Sequence, residues 1–188
     1  MLSIIYRAYP EISKIPILKF KNKDEMLLFC LTSLKEALKE IEFEFIFIND
    51  GCTQSQQEII HSLFRGENFK KIDNKENGNM QSFRTQMLQI HKVKYDKVLI
   101  LEDDYFINKK DIKLNLDILD DPTIDYSTFF YPLDARNDVG GMKGKTSLHA
   151  SGLNVTELFS TTLTFFGKRD LIKEDLDYFL TFSLGSHD

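Results

Sequence analysis

Val98-Leu99-Ile100-Leu101-Glu102-Asp103-Asp104 is the stretch on which the architecture turns. Four consecutive apolar residues bounded by charge describe a strand buried on both faces, the pattern of a parallel sheet covered by helices. Three carboxylates follow where that strand leaves the core. Holding them together costs mutual repulsion, because neighbouring like charges raise one another's pKa. A divalent cation removes that cost, and Mg²⁺ or Mn²⁺ takes one or two carboxylates together with phosphate oxygens of a substrate. In open α/β sheets, ligands bind just outside the carboxyl ends of the strands, where this cluster falls. An isolated Glu-Asp-Asp is more often a solvated acidic turn, so the rest of the chain has to decide.

Outward from this strand the chain alternates. Residues 2–6 read as a first strand, ended by Pro10. Asp24 caps a helix to about residue 39, whose Met26, Leu27, Phe29, Cys30, Leu34, Ala37 and Leu38 form an apolar stripe. Residues 43–48 form a second strand ending at the turn Asn49-Asp50-Gly51. Thr53 caps a helix over residues 54–64, which Gly66 closes. A short third strand, 69–72, leads through the polar stretch 73–79 to a helix over 80–91 and then to the Val98 strand. This order predicts an α/β fold: a Rossmann-like, mixed but mainly parallel sheet with helices on both faces and right-handed crossovers.

The second half is less regular. Residues 111–119 suit a helix, 126–133 an aromatic-rich strand, 159–166 a strand and 169–182 a helix. Between them, residues 138–152 hold Gly140, Gly141, Gly144 and Gly152 among polar side chains. So long a stretch without periodicity suggests a mobile loop or lid.

Composition narrows the class. The 188 residues suit a single domain; 42% are hydrophobic and 28% charged, an ordinary globular balance. A net charge of -5 argues against a nucleic-acid partner. Two cysteines, Cys30 and Cys52, without Cys-x-x-Cys spacing, fit a reduced, cytoplasmic protein. No apolar run approaches the length of a signal peptide or membrane span. His61 and His91 fall on expected helices and His149 in the glycine-rich stretch, none at metal-ligand spacing. Most of the 16 phenylalanines belong to the core, with Phe165 and Phe166 placed to flank a sugar.

Taken in order, the strand ending in Asn49-Asp50-Gly51, the Asn77-Gly78-Asn79 stretch leading a helix that carries Arg84, and Leu101-Glu102-Asp103-Asp104 resemble the nucleotide-sugar half of GT-A glycosyltransferases. They are most similar to the inverting family 2 enzymes. The resemblance implies that Asp50 contacts the nucleoside, with Asn49 replacing the family's first acid. Gly78 and Arg84 match the family's Asn-x-Gly-x-x-x-Ala-Arg-Asn region, while Thr85 and Gln86 stand where Asn is usual. Glu-Asp-Asp matches the Asp-x-Asp motif, which points to Asp104 as ligand of Mn²⁺ or Mg²⁺ and leaves Glu102 and Asp103 to the nucleotide. Tyr6 and Arg7 leave the first strand at the same edge, where an aromatic stacks on a base and an arginine pairs a phosphate.

Residues 1–108 thus form the nucleotide-sugar-binding half of one domain over 1–188, and 109–188 the acceptor-side half. Phe165-Phe166-Gly167-Lys168-Arg169 and its helix resemble the segment that precedes the family's x-Glu-Asp, making Asp188 the catalytic base with His187 replacing Glu. Family members normally continue beyond this point, so the expectation is either a C-terminal segment beyond this sequence or an accidental match at Asp188. The implied partners are a nucleotide-sugar donor, with UDP expected, and a carbohydrate-bearing acceptor. A non-catalytic nucleotide-sugar-binding protein is the main alternative. A sugar nucleotidyltransferase is the other, though it needs a glycine-rich loop after the first strand, and Tyr6-Arg7-Ala8-Tyr9-Pro10 contains no glycine.

Overall fold

The computed structural model describes residues 1–12, 20–66, 68–74, 79–127, 143–148, 154–158 and 164–183. In chain order its first half holds β1 (Leu2–Ala8), α1 (Lys23–Ala37), β2 (Phe43–Asn49), α2 (Gln54–Phe64), β3 (Phe69–Asp73), α3 (Asn79–Leu88), a 3-10 turn (Gln89–Lys92) and β4 (Lys97–Glu102). The second half holds α4 (Lys109–Ile118), β5 (Tyr126–Ser127), β6 (Lys143–Leu148), β7 (Asn154–Leu158), β8 (Phe165–Lys168) and α5 (Arg169–Ser183).

Six strands form one sheet in the order β3-β2-β1-β4-β8-β5. The first four are mutually parallel, whereas β8 runs antiparallel to both β4 and β5. The sheet is therefore mixed and mainly parallel, as the alternation predicts. Period-two alternation sorts each central strand between two cores. Leu2, Ile4, Tyr6, Phe45, Phe47, Leu99 and Leu101 pack with Leu27, Leu31 and Leu34 of α1, Ile60 and Phe64 of α2, and Ile112 of α4. Ile5, Ile46, Ile48, Val98 and Ile100 face the other way, against Ile90, Val93 and Ile172 and Leu176 of α5. Helices thus cover both faces, which is why the central strands carry consecutive apolar residues, 4–6 in β1, 45–48 in β2 and 98–101 in β4.

Local signals explain most helix starts. Thr53 caps α2 through a reciprocal bond pair with Gln56, and Asn108 caps α4 in the same way with Asp111. For α1 the cap is Asn22, whose Oδ1 accepts the Glu25 N–H at 2.9 Å, and not Asp24. Asp24 sits in the first turn, where a carboxylate suits the helix dipole, and accepts from Ser55 Oγ at 2.6 Å on α2.

Two expectations for the second half change. Residues 143–148 are not an aperiodic lid: they form β6, paired antiparallel with β7. Cross-strand hydrogen bonding satisfies a backbone whose side chains gave no periodic signal. Of the strand expected over 159–166, residues 165 and 166 fall in β8, which starts at Phe165, and β7 ends before it at Leu158; residues 159–163 lie outside the described residues, as do 128–133.

Gly167 marks a close approach in β8. A Cβ built there would meet Ile172 Cδ1 and Tyr126 Cδ1 at 2.9 Å each. Gly167→Ala is expected to cost about 1–3 kcal/mol by overpacking this seam. Urea denaturation will read the cost as a lowered midpoint with unchanged slope.

Candidate functional site

The carboxyl ends of β2, β1 and β4 lie side by side. Ala8 is in register with Asn49, and Arg7 with both Ile48 and Glu102. This brings the Asn49-Asp50-Gly51 turn and the Glu102-Asp103-Asp104 turn to one edge of the sheet, separated by the end of β1. Gly51 has a φ of 84°, a left-handed conformation in which glycine meets no steric cost.

The three acids after β4 have three different environments. Glu102 is half-buried and forms an ion pair with Arg7, whose Nη1 also donates to Ser82 Oγ at 2.9 Å. Burial raises the Glu102 pKa and the Arg7 guanidinium opposes the rise. Asp103 is enclosed. Its Oδ2 meets the Lys23 ammonium at 2.8 Å and accepts the Tyr9 N–H at 2.9 Å, while Oδ1 has no hydrogen-bond partner among the described residues. Burial pushes its pKa up to about 7, with Lys23 pulling the other way. Asp104 is exposed and carries no ion pair among the described residues.

Asp103 is therefore turned into the fold and away from the open edge of the sheet. It lies on the same face as Leu99 and Leu101, under α1, where Lys23 at the start of that helix meets it. Tyr6 is enclosed likewise. The strand continues to Ala8, so Tyr6 sits inside it, 1% exposed, against Phe45 and Phe47 at centroid distances of 5.4 and 6.2 Å. No face of its ring is open to a base. Phe165 and Phe166 are likewise core residues of β8, buried on opposite faces of the sheet.

At the other turn, Asp50 is buried to 7% exposure and its Oδ1 accepts from Asn74 Nδ2 at 3.1 Å. Thr85 of α3 bonds Asn74 Oδ1 at 3.1 Å. Gln86, one residue on, is fully buried and donates to the Ile5 and Leu101 carbonyls at 2.9 and 3.1 Å, tying α3 across β1 and β4. Arg84 is exposed, whereas Ser82 and Gln86 occupy the buried face of the same helix. Asp188 lies outside the described residues, as do Gly78 and His149. Cys30 and Cys52 are buried free thiols whose pKa values burial pushes up to about 12, so neither is a nucleophile near neutral pH.

Sequence reasoning missed Lys23, Asn74, Thr85 and Ser82 as partners of these acids. Lys23 had a readable signal, a cation at the start of an amphipathic helix that follows the first strand. For Asn74 no local signal existed, because only the strand register brings it to Asp50.

Among the described residues no group of three His, Cys, Asp or Glu side chains closes around a cation. The donor set nonetheless suits a hard cation shared with a ligand. Asp104 offers one exposed carboxylate, and Mg²⁺ and Mn²⁺ sites of this kind draw their remaining oxygens from substrate phosphates and water. Arg7 and Lys23 neutralise the flanking acids, so Asp104 gathers its charge without two bare neighbours.

The family model described as Glycosyl transferase family 2 matches residues 17–179. Among solved structures, Staphylococcus aureus TarS 1–349 superposes with a TM-score of 0.62 at 18% identity over 93% of this chain and 48% of that one. TarS structures in complex with UDP and UDP-GlcNAc give 0.58 and 0.57. The mannosyltransferase PcManGT from Pyrobaculum calidifontis, in complex with GDP-Man and Mn²⁺, gives 0.56 at 11% identity over 92% of this chain and 46% of that one. A CMP:2-keto-3-deoxy-manno-octonic acid synthetase complexed with CTP gives 0.55 at 16% identity over 94% and 76%. At these identities the likeness shows a shared fold, and the chain spans about half the length of the TarS and PcManGT chains. No curated protein matches the sequence.

Proposed function

The chain belongs to glycosyl transferase family 2, and from that premise we propose a metal-dependent, inverting transfer of a sugar from a nucleotide donor, UDP by expectation, to a hydroxyl of a glycan, lipid-linked or protein acceptor. The observation that carries this reading is the exposed carboxylate of Asp104 at the carboxyl end of β4, with one strand, β1, between it and the buried carboxylate of Asp50 after β2. A nucleoside diphosphate suits that separation of roles. Asp50 accepts a hydrogen bond from the nucleoside, and Asp104 holds Mn²⁺ or Mg²⁺ against the diphosphate. When bound, the cation stabilises negative charge on the leaving diphosphate. Glu102 and Arg7 support the donor side as a pair, so a phosphate reaching Arg7 has to compete with Glu102. Arg84, at the exposed face of α3, is left to longer-range attraction. Asp188 takes the proton of the attacking acceptor hydroxyl, and attack opposite the leaving group inverts the anomeric carbon.

Among the described residues no helix is long and apolar enough to cross a membrane. The buried free thiols support a reducing, cytoplasmic setting.

Asp104→Asn tests the carrying observation, since it removes charge and keeps volume. In the parent chain Mn²⁺ is expected to tighten UDP by on the order of tenfold or more, the worth of a charge-assisted contact. Calorimetry on the variant is expected to show that gain gone and metal-free affinity preserved. An undiminished Mn²⁺ gain would remove Asp104 from the site.

The likeness to a CTP-bound synthetase favours one second reading, a sugar nucleotidyltransferase. Thermal shift with nucleotide-sugars and nucleoside triphosphates, each with Mn²⁺, separates the two, because the preferred ligand raises apparent stability by mass action. Stabilisation by UDP-sugars above CTP supports transfer. The reverse order supports the synthetase.

A further inference from the structure

The ends of β2 and β3 carry two reciprocal contacts. Asn49 is in register with Asp73, and its Nδ2 donates to Asp73 Oδ1 at 2.6 Å. One residue further the order is exchanged: Asn74 on the β3 side donates to Asp50 on the β2 side. The first pair serves the turn, since Asn49 Oδ1 accepts the Cys52 N–H at 2.9 Å and so closes Asn49-Asp50-Gly51. The second pair ends at the proposed donor site. Its main chain is fixed from below: the Asp50 N–H donates to the Ala8 carbonyl and the Asn74 N–H to the Asn49 carbonyl, both at 2.9 Å.

The orientation of the Asn74 amide follows from its neighbours. An ionised carboxylate only accepts hydrogen bonds, so the NH₂ must face Asp50 and the carbonyl must face Thr85, whose hydroxyl then donates. Asp50 Oδ1 thereby holds the Asn74 donor. Asp50 Oδ2 has no hydrogen bond among the described residues and is the open acceptor.

We propose that Asn74, oriented by Thr85, sets the base preference of the donor site: its amide stands beside Asp50 Oδ1 and leaves Oδ2 as the carboxylate oxygen without a partner, which suits the single N3–H of uracil and crowds the two-point contact that guanine makes through N1–H and N2–H. This rests on Asp50 as the base contact. Cytosine has an acceptor at N3, so Asp50 alone disfavours it whatever Asn74 does. The ratio of UDP to GDP affinity therefore reports Asn74, and UDP to CDP reports Asp50. Both Asn74 and Thr85 act through Asp50 as positioning residues.

The test is calorimetric titration of UDP, GDP and CDP in Mn²⁺ against the parent chain and Asp50→Ala, Asn74→Ala, Thr85→Val and Thr85→Ser. The parent is expected to prefer UDP. Asn74→Ala is expected to weaken UDP by about three- to tenfold, the reach of one hydrogen bond, and to narrow the UDP-to-GDP ratio while UDP still exceeds CDP. Thr85→Val should move that ratio the same way by less, and Thr85→Ser should restore it because the hydroxyl returns. A ratio in Asn74→Ala within about twofold of the parent, below the worth of a hydrogen bond, overturns the inference, as does Thr85→Ser behaving like Thr85→Val. With UDP bound and sensitive to Asp50→Ala, such a result defeats the inference alone. A parent that does not bind UDP, or binds it equally well after Asp50→Ala, defeats the donor-site reading and this inference with it.

Discussion

Replacing Lys23 by methionine is expected to destabilise the fold by about 3–5 kcal/mol near pH 8 and far less near pH 5, because it strands a buried carboxylate. Lys23 and Asp103 are both enclosed, 2.8 Å apart, and the ammonium lies over the Tyr9 ring at 4.3 Å. Burial raises Asp103 to about 7 in the folded chain, whereas an unfolded aspartate titrates near ~3.9. Between these values the folded state keeps a proton that the unfolded state has released. Stability contributed by this group is therefore full below the unfolded value and falls as pH rises, by at most about 1.4 kcal/mol per pH unit, until it levels off above the folded value. Removing the ammonium raises the folded value further, so in Lys23→Met the fall continues past neutrality and the deficit opens there. Lys23→Met/Asp103→Leu should recover most of the loss, since apolar replacement of a buried pair is often neutral or better. Urea denaturation at the two pH values reads both effects. An equal loss at each pH would mean that packing of the lysine stem, and not the pair, is what Lys23 contributes.

That pair shows where the sequence was legible and where it was not. The buried run before Glu102 identified a central parallel strand, and the structure places it between β1 and β8 with helices on both faces. Elements with complete local signals came out closely: the Thr53 capping box starts α2 at Gln54, and it ends at Phe64. Boundaries without such signals drifted. The first strand runs two residues beyond Tyr6, and that extension turned an expected base-stacking aromatic into a core residue. Parity carries the missing information. Leu2, Ile4 and Tyr6 share a face with Leu99 and Leu101, so Tyr6 and Asp103 continue a face that α1 covers, while Arg7 falls on the face that Ser82 of α3 meets. The acid cluster was visible as a motif. Its division into one paired, one enclosed and one open carboxylate required knowing which helix lies over which face.

Contacts made through register were less legible still. Asn74 belongs to a polar stretch that reads as a loop, and nothing in its neighbourhood announces Asp50. Only parallel pairing of β2 with β3 in one register, Asn49 opposite Asp73, sets the amide against that carboxylate. A slip by one residue would exchange the faces of every side chain on β3, and would bury Lys70 or Lys71 where Phe69 and Ile72 now pack.

Asp188→Asn is expected to slow sugar transfer by about 10²–10⁴-fold, the range of a lost general base, while UDP affinity stays nearly unchanged. The reasoning starts from the displacement. An acceptor hydroxyl is a poor nucleophile until a carboxylate takes its proton, and inversion in one step requires that carboxylate on the side away from the diphosphate. Asp104 and Asp50 serve the donor in the proposed site and Asp103 is enclosed, and the resemblance to the family's x-Glu-Asp assigns the base to Asp188 in the second half of the chain. There the strand and helix that precede the proposed base are present as β8 and α5. Asp188 itself follows five residues after Ser183. The variant changes charge and not volume, and a base that faces the acceptor touches neither uridine nor diphosphate, so the loss should fall on kcat with donor binding intact. An Asp104→Asn chain should show the opposite division, with donor binding weakened first. Should the parent transfer sugar and Asp188→Asn transfer it equally fast, the proton must go to another acid of the same half, with Asp134 and then Asp138 the next to replace.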